Sequence, residues 1–191
     1  MAKTRLLDIL GAIVLAAALA VPANAADGIE AKLQICGSCH GKDGAPGDPT
    51  IPIIWGQQQA YLEKQLREYK SGDRDSQIMS SMAESLKTAE IPDVAAFFAA
   101  GNWPHHSDDG AAKSPPDAIP TCQTCHQANF LGGSAVGGTT PRLAGQTRAY
   151  LVEAMQSFAS GERGNSGDMS ALLKGLAATE REAIARYLSG L

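Results

Sequence analysis

Apolar positions along this chain recur at intervals of three and four residues, the spacing of one face of an α-helix. The clearest example is Tyr61, Leu62, Gln65, Leu66 and Tyr69, and the same spacing returns at positions 150, 151, 154, 155 and 158. Glycines at 72 and 161 are predicted to end these two helices. No stretch alternates long enough to predict a strand, so the predicted fold class is all-α.

A last helix is predicted in each half of the chain, at about 88–100 and about 179–191. Thr179 and Glu182 have the spacing of a capping box at the start of the second of these helices.

The helices belong to an internal repeat. The segment 54–62, IWGQQQAYL, matches 143–151, LAGQTRAYL, at an offset of 89 residues, and Pro52 matches Pro141 at the same offset. Two tandem copies of one unit are therefore predicted. We expect residues 26–103 to form the first domain, 104–118 a linker and 119–191 the second domain.

The first 25 residues are typical of a secretory signal peptide. Lys3 and Arg5 precede an apolar run, and Ala23-Asn24-Ala25 has the small-x-small pattern of a cleavage site. The run is short for a membrane span, which needs about 20 apolar residues. An exported chain with its signal cleaved near Ala25 is the prediction.

Composition adds little to these structural predictions. The net charge is −4 and no basic stripe occurs, which argues against nucleic-acid binding. Only 5% of residues are aromatic, a low content for two small cores unless another group fills them.

The chemistry of the chain is concentrated in two pentads. Cys36-Gly37-Ser38-Cys39-His40 and Cys122-Gln123-Thr124-Cys125-His126 both have the form C-x-x-C-H, the attachment motif of c-type haem. Each pentad predicts two thioether bonds to one haem and one axial imidazole for its iron. The predicted cofactors are two covalently bound haem c groups. Their attachment residues are Cys36, Cys39, Cys122 and Cys125, with His40 and His126 as iron ligands.

Three other interpretations of C-x-x-C are a thioredoxin-like dithiol, half of a zinc site and a disulfide. No βαβ pattern surrounds the pentads, and each is followed at once by histidine. Zinc would require both pentads to converge on one ion, against their equivalent places in two repeats.

A second axial ligand would distinguish an electron carrier from a haem that binds substrate. Met79 and Met169 lie at matching points of the repeat, after a glycine-containing loop and before the last helix, and we predict that they are these ligands. Met82 matches Leu172 and is expected to pack at the haem edge, while Met155 lies on an apolar helix face and is expected in the core.

Other polar residues near the pentads allow more than one role. The carbonyls of Pro52 and Pro141 are predicted to accept the Nδ1 proton of the axial histidines. Tyr61, Tyr150, Arg142 and Arg148 have two equally good interpretations, as partners of haem propionates or as exposed helix positions. His105 and His106 lie in a polar stretch and are interpreted as solvated linker residues.

The chain resembles the dihaem cytochrome c4 family, through its two pentads, the doubled Gly-Gln-x-x-Ala-Tyr-Leu and the late methionines. The resemblance implies two class I cytochrome c domains packed face to face in the periplasm, each with His/Met iron. It also implies the partners, which are a quinol-oxidising complex as donor and a terminal oxidase as acceptor. Peripheral association with the membrane is compatible with this role.

One segment departs from the family pattern. A helix usually leads into each pentad, but Pro115, Pro116 and Pro120 interrupt the lead-in of the second one. The last helix is then expected to lack its usual partner and to leave an apolar face uncovered.

Three classes of function stay open. The first is an electron carrier without catalytic activity, and the second is an electron-accepting subunit of a dehydrogenase, such as the dihaem subunit of a sulfide-oxidising flavocytochrome. The third is a dihaem peroxidase, which needs one iron open to peroxide and is disfavoured by a methionine in each unit.

Overall fold

The structure is a computed structural model that describes residues 23–105, 110–133 and 137–191. Residues 1–22 of the predicted signal peptide and His106 lie outside these ranges, so the predictions for them are not addressed by the fold. No helix among the described residues is long and apolar enough to cross a membrane.

The described residues form helices joined by loops. The first half contains α1 (Ala23–His40), α2 (Gln59–Ser71), α3 (Gln77–Glu84), a 3₁₀ turn (Thr88–Glu90) and α4 (Ile91–Ala99). The second half contains α5 (Ile119–His126), α6 (Arg148–Ser160), α7 (Gly167–Lys174) and α8 (Ala178–Leu188). The only β pairing in the described ranges is an isolated bridge between Gly133 and Thr140. The all-α prediction is confirmed.

The repeat predicted from the sequence is visible in the helices. Helices α2 and α6 each have 13 residues and end at a glycine in the left-handed conformation, Gly72 with φ 86° and Gly161 with φ 83°. Only glycine adopts this conformation without a steric cost, which explains why both helices stop where they do.

Two helices were not predicted. Met79 and Met169 were expected in a stretch before the last helix, but each is the third residue of a further eight-residue helix, α3 or α7. These helices are too short for a clear apolar period, because eight residues make only about two turns.

The predicted capping box of Thr179 and Glu182 is wrong. Helix α8 begins earlier, and the carboxylate of Glu180 accepts the N–H of Ala177 at 2.7 Å. The first half repeats this contact, since the carboxylate of Glu90 accepts the N–H of Lys87 at 2.8 Å. Glu182 lies instead 3.8 Å from Arg148.

Each half of the chain has its own apolar core. In the first, the buried cluster contains Leu62 on α2, Leu86 before the 3₁₀ turn, and four residues of α4, which are Ile91, Val94, Ala95 and Phe98. In the second, α6, α7 and α8 bury a cluster that includes Leu151, Phe158, Leu173, Ile184 and Leu188. We call these halves the first and second unit. Their division into domains at the residues given above stays a prediction.

The lead-in helices differ as the prolines predict. Helix α1 has 18 residues, whereas α5 has eight and carries Pro120 in its first turn, where a missing N–H costs nothing. The expected uncovered apolar face of α8 is nevertheless wrong, because Ile184, Ala185 and Leu188 are all buried, in a core that also contains Ile119 and Phe130.

Candidate haem sites

Each pentad occupies the end of a helix. Cys36, Cys39 and His40 lie in the last turns of α1, which stops at His40 because Gly41 adopts a φ of +86°. Cys122, Cys125 and His126 occupy the same place in α5. Residues three apart share one helix face, so the two thiols of each pentad are neighbours beside the imidazole.

Both histidines are buried and oriented by a carbonyl. His40 and His126 are each 6% exposed. His40 Nδ1 donates to the carbonyl of Pro52 at 2.8 Å, and His126 Nδ1 donates to that of Pro141 at 3.1 Å. The predicted acceptors are confirmed. Because a carbonyl can only accept, Nδ1 carries the proton and Nε2 keeps its lone pair for a metal ion.

Burial also favours the neutral imidazole. Desolvation lowers the pKa of His40 and of His126 from the usual value, and the proline carbonyls oppose this shift only in part. A neutral ring is the form that binds iron.

The four cysteines are free thiols rather than disulfide partners. Cys36 and Cys122 are half-buried, whereas Cys39 and Cys125 are exposed. Burial raises the pKa of Cys36 and Cys122. In the described ranges no three histidine, cysteine or acidic side chains come together in a way that would hold an ion, so the two pentads do not converge as the zinc interpretation requires.

The methionines occupy different environments. Met79 and Met169 are half-buried, and Met169 packs against the second core. The N–H of Met79 is held by Ser76 Oγ at 3.3 Å. Met155 is buried in the second core, as predicted, whereas Met82 is 38% exposed.

A feature that the sequence analysis missed joins the two units. Gln57 spans the gap with two hydrogen bonds, donating from Nε2 to Arg142 O at 3.0 Å and accepting from Arg142 N at 2.7 Å. Gln146 makes the reciprocal pair with Ile53, both at 2.9 Å. The contacts are reciprocal, as expected when two similar units face each other about an approximate two-fold axis. The repeated Gly-Gln in the sequence could have pointed to these two glutamines, but it does not show which residues they bind.

A second reciprocal pair lies at the same boundary. Arg74 donates to the hydroxyl of Tyr150, and Arg163 donates to that of Tyr61, both at 3.4 Å. The interpretation of these tyrosines as exposed helix positions is wrong, since both are partly buried. Burial opposes ionisation of Tyr150, but the charges of Arg74 and Arg163 outweigh it and bring its pKa to about 8.

The other candidate partners of propionates make contacts elsewhere. The guanidinium of Arg142 stacks on the ring of Trp103 at 4.3 Å, and its Nε donates to Ala144 O. Arg148 lies beside Glu182. His105 is exposed, in agreement with its interpretation as a linker residue.

These residues fit two haem c groups. Each unit offers two free thiols on one helix face and a buried imidazole whose Nε2 is unprotonated. The arginine and tyrosine donors between the units suit anionic carboxylates such as those of haem. Two helical repeats with this donor set define the class of the protein as a tandem c-type cytochrome.

Comparison with known proteins identifies the family. Cytochrome c4 from Stutzerimonas stutzeri is 31% identical, over 91% of this chain and 92% of the relative. The solved structure of cytochrome c4 from Acidithiobacillus ferrooxidans has a TM-score of 0.73 at 30% identity and covers 83% of this chain and 99% of that one. A thiosulfate dehydrogenase electron acceptor from Thiomonas intermedia is 30% identical, over 81% of this chain and 77% of the relative. No protein-family model matches the chain.

The chain belongs to the cytochrome c4 family. Members of this family are dihaem electron-transfer proteins rather than enzymes, and they carry two covalently bound haem c groups.

Proposed function

We propose that this chain is a periplasmic electron carrier whose two irons both have histidine and methionine ligands. His40 and Met79 bind the first iron, and His126 and Met169 bind the second. The single observation that supports this most is the repeated site: a buried imidazole with its Nδ1 held by a proline carbonyl, in both units. Haem c supplies one-electron redox chemistry when bound.

The side chains of the protein then act on that chemistry. The proline carbonyls orient the imidazoles and raise their basicity. The thioether ligands favour the ferrous state and raise the potential. With a histidine and a methionine holding each iron, neither iron would have a place for substrate, which suits a carrier rather than a peroxidase.

The proposed route runs from a quinol-oxidising complex to a terminal oxidase. The signal-like residues 1–25, with cleavage near Ala25, support export to the periplasm. The two pentads lie in separate units, so a carrier of this design would hold two electrons and exchange them one at a time.

The ligand assignment is tested by opening one axial position. We expect Met79→Leu to let the reduced protein bind carbon monoxide at the first haem and to change its potential by a measurable part of the roughly 0.8 V that axial ligands span. Met82→Leu is the matched control, because Met82 lies one turn further along the same helix and is exposed. Carbon monoxide binding in the control but not in Met79→Leu would assign the ligand to Met82.

The second unit allows the same test with its own control. Met169→Leu is expected to open the second haem, whereas Met155→Leu changes a core residue of α6 and leaves both irons saturated. Visible spectra in both oxidation states follow the ligation of each variant.

A second candidate function is supported by the relative from Thiomonas intermedia, which is named as an electron acceptor of thiosulfate dehydrogenase. In this role the chain would receive electrons from a dehydrogenase that performs the substrate chemistry. Isolation of the protein from its own periplasm under mild conditions distinguishes the two roles. The carrier predicts a lone chain with two haems, whereas a stable complex with an enzyme polypeptide would favour the acceptor subunit.

A further inference from the structure

The cross-unit glutamines contact the peptide groups that orient the axial histidines. The carbonyl of Pro52 and the N–H of Ile53 belong to one peptide group. Its oxygen accepts from His40 Nδ1 at 2.8 Å, and its N–H donates to Gln146 Oε1 at 2.9 Å. A continuous hydrogen-bonded chain therefore runs from the imidazole of the first unit, through one peptide, to a side chain of the second unit.

The second unit has the same arrangement. The oxygen of the Pro141–Arg142 peptide accepts from His126 Nδ1 at 3.1 Å, and its N–H donates to Gln57 Oε1 at 2.7 Å. The glutamine in this chain comes from the first unit. Each axial histidine is thus linked to a glutamine of the opposite unit.

The orientation of each amide is fixed by its neighbours. Gln146 Oε1 accepts the N–H groups of both Ile53 and Thr147, and Gln57 Oε1 accepts those of Arg142 and Gln58. Two backbone donors aimed at one atom require that atom to be the oxygen. Gln146 is 2% exposed and Gln57 is 4% exposed, so water does not replace these contacts.

A buried hydrogen-bonded chain of this kind polarises the peptide at its centre. An acceptor at the N–H end draws negative charge onto the carbonyl oxygen, and cooperative strengthening of about 10–30% per bond is estimated for such chains. A stronger bond to Nδ1 makes the imidazole a more basic ligand, which stabilises ferric iron more than ferrous iron.

We infer that Gln146 and Gln57 are positioning residues that lower the potential of the haem in the opposite unit, through the peptides Pro52–Ile53 and Pro141–Arg142. This inference rests on the proposed function, because it takes His40 and His126 as axial ligands. Each unit would therefore set part of the redox behaviour of the other through a peptide group that also holds an axial histidine.

The test replaces one amide at a time in the protein with both haems attached. In Gln146→Met the N–H of Ile53 loses its acceptor, so the potential of the first haem is expected to rise while that of the second stays in place. Gln57→Met is expected to raise the second potential and leave the first. A redox titration followed by NMR signals of the haem methyl groups measures the two potentials separately.

The NMR signals of the Nδ1 protons of His40 and His126 are a second measurement, which a general loss of packing between the units would not change at one histidine alone. In Gln146→Met the signal of His40 is expected to move in the direction of a weaker hydrogen bond, and that of His126 to stay. Gln58→Met is the matched control, because Gln58 also reaches across the boundary, to Leu131 O at 2.9 Å, but contacts neither peptide. Neither potential is expected to change in this control.

Gln146→Glu keeps the inference testable if the methionine variant does not fold. At a site that is 2% exposed the new carboxyl group is expected to be protonated. One oxygen then still accepts from Ile53 N–H, and the O–H donates to Ile53 O in place of Nε2, so the first potential is expected not to rise. A rise in Gln146→Glu, equal shifts of both haems in any one variant, or unchanged potentials in Gln146→Met and Gln57→Met would overturn the inference.

Failure of the inference is distinguishable from failure of the proposed function. If the wild-type spectra lack His/Met ligation at either iron, the proposed function fails. If both irons have His/Met ligation and the potentials ignore the glutamines, only the inference fails.

Discussion

The two units have the same haem-site skeleton and support it with different residues. Both have a pentad at a helix end, a histidine held by a proline carbonyl, and paired helices of equal length, α2 with α6 and α3 with α7. The supporting residues around them differ at equivalent positions. The parts that would hold the haem are constrained by its chemistry, whereas the rest of each small core has more than one packing solution.

The contrast is clearest where the last helix begins. Ile91 opens α4 and is fully buried among apolar neighbours, but the matching residue in α8 is Arg181, which is also buried. The guanidinium donates to Leu173 O at 3.1 Å, to Leu176 O and to Gln156 Oε1 at 2.7 Å. At this position the first unit makes apolar contacts, whereas in the second unit a buried cation binds carbonyl groups at the end of α7.

The aromatic residues differ in the same way. In the first unit Trp55 packs edge-on against Phe98 at 5.1 Å between ring centroids, and its Nε1 donates to Gly41 O at 2.8 Å. Ala144 stands at the matching position of the second unit, where Phe130 is buried instead. The two cores therefore take one of their aromatic residues from different parts of the chain.

The largest expected effect concerns Arg181. Arg181→Met removes a charged donor from buried carbonyls and is expected to lower the free energy of unfolding by about 2–3 kcal/mol. Ile91→Met is the matched variant, and a volume-conserving apolar exchange of this kind is expected to cost less than about 1.5 kcal/mol. Urea unfolding followed by circular dichroism measures both. Equal losses of unfolding free energy in the two variants would show that the hydrogen bonds of Arg181 add no more stability than the apolar contacts of Ile91.

A smaller effect is expected just after the pentads. Gly41 and Gln127 both have positive φ, but Gln127, with φ 68° and ψ 162°, lies in a region that is nearly exclusive to glycine. Gln127→Gly is expected to raise the free energy of unfolding by about 1 kcal/mol, because relief of strain outweighs the entropy that glycine adds to the unfolded chain.

Gly41→Ala is the reciprocal change. A Cβ there would lie 2.3 Å from the carbonyl oxygen of Ala45, so this variant is expected to be destabilised. Thermal unfolding of Gln127→Gly and of Gly41→Ala, each compared with the wild type, tests whether the first is stabilised and the second destabilised. A destabilised Gln127→Gly would mean that the glutamine is not strained.

The smallest effect depends on pH. Lys32 on α1 lies 2.5 Å from Glu90, a contact that the short α5 does not reproduce in the described part of the second unit. The hydrogen bonds from Lys32 and from the N–H of Lys87 lower the pKa of Glu90 below its ordinary value of 4.5. The folded state therefore keeps the carboxylate ionised at more acid pH than the unfolded state.

The sign follows from this shift. The stabilisation is complete above the ordinary pKa of the carboxyl and disappears as the pH falls through the lowered value of the folded state. The difference in unfolding free energy between wild type and Lys32→Met is thus expected to be constant near neutral pH and to shrink in acid. A difference that persists at the acid end would assign the effect to packing of the lysine chain.

The sequence predicted the parts of the site that depend on local spacing. The pentads, the glycine stops of α2 and α6, and the proline acceptors all follow from positions close to one another in a repeated pattern. The start of α8 shows the limit of this approach. The sequence allows a capping contact from Glu182 to Thr179 or from Glu180 to Ala177, within one turn of each other, and packing selects the second.

The contacts between the units could not be predicted in the same way. Gln146 bonds to Ile53 across 93 residues, and no periodic pattern relates an amide side chain to a distant peptide group. Helices α3 and α7 were missed because eight residues make only about two turns, which is too few for a clear apolar period.

Both irons are proposed to be saturated, the first by His40 with Met79 and the second by His126 with Met169. Exposure of the reduced protein, with both haems attached, to carbon monoxide tests this proposal. We expect visible spectra of two low-spin haems per chain that do not change on addition of the gas. Conversion of one haem to its carbon monoxide complex at native pH would show instead that this iron is open to substrate and that the proposed methionine does not bind it.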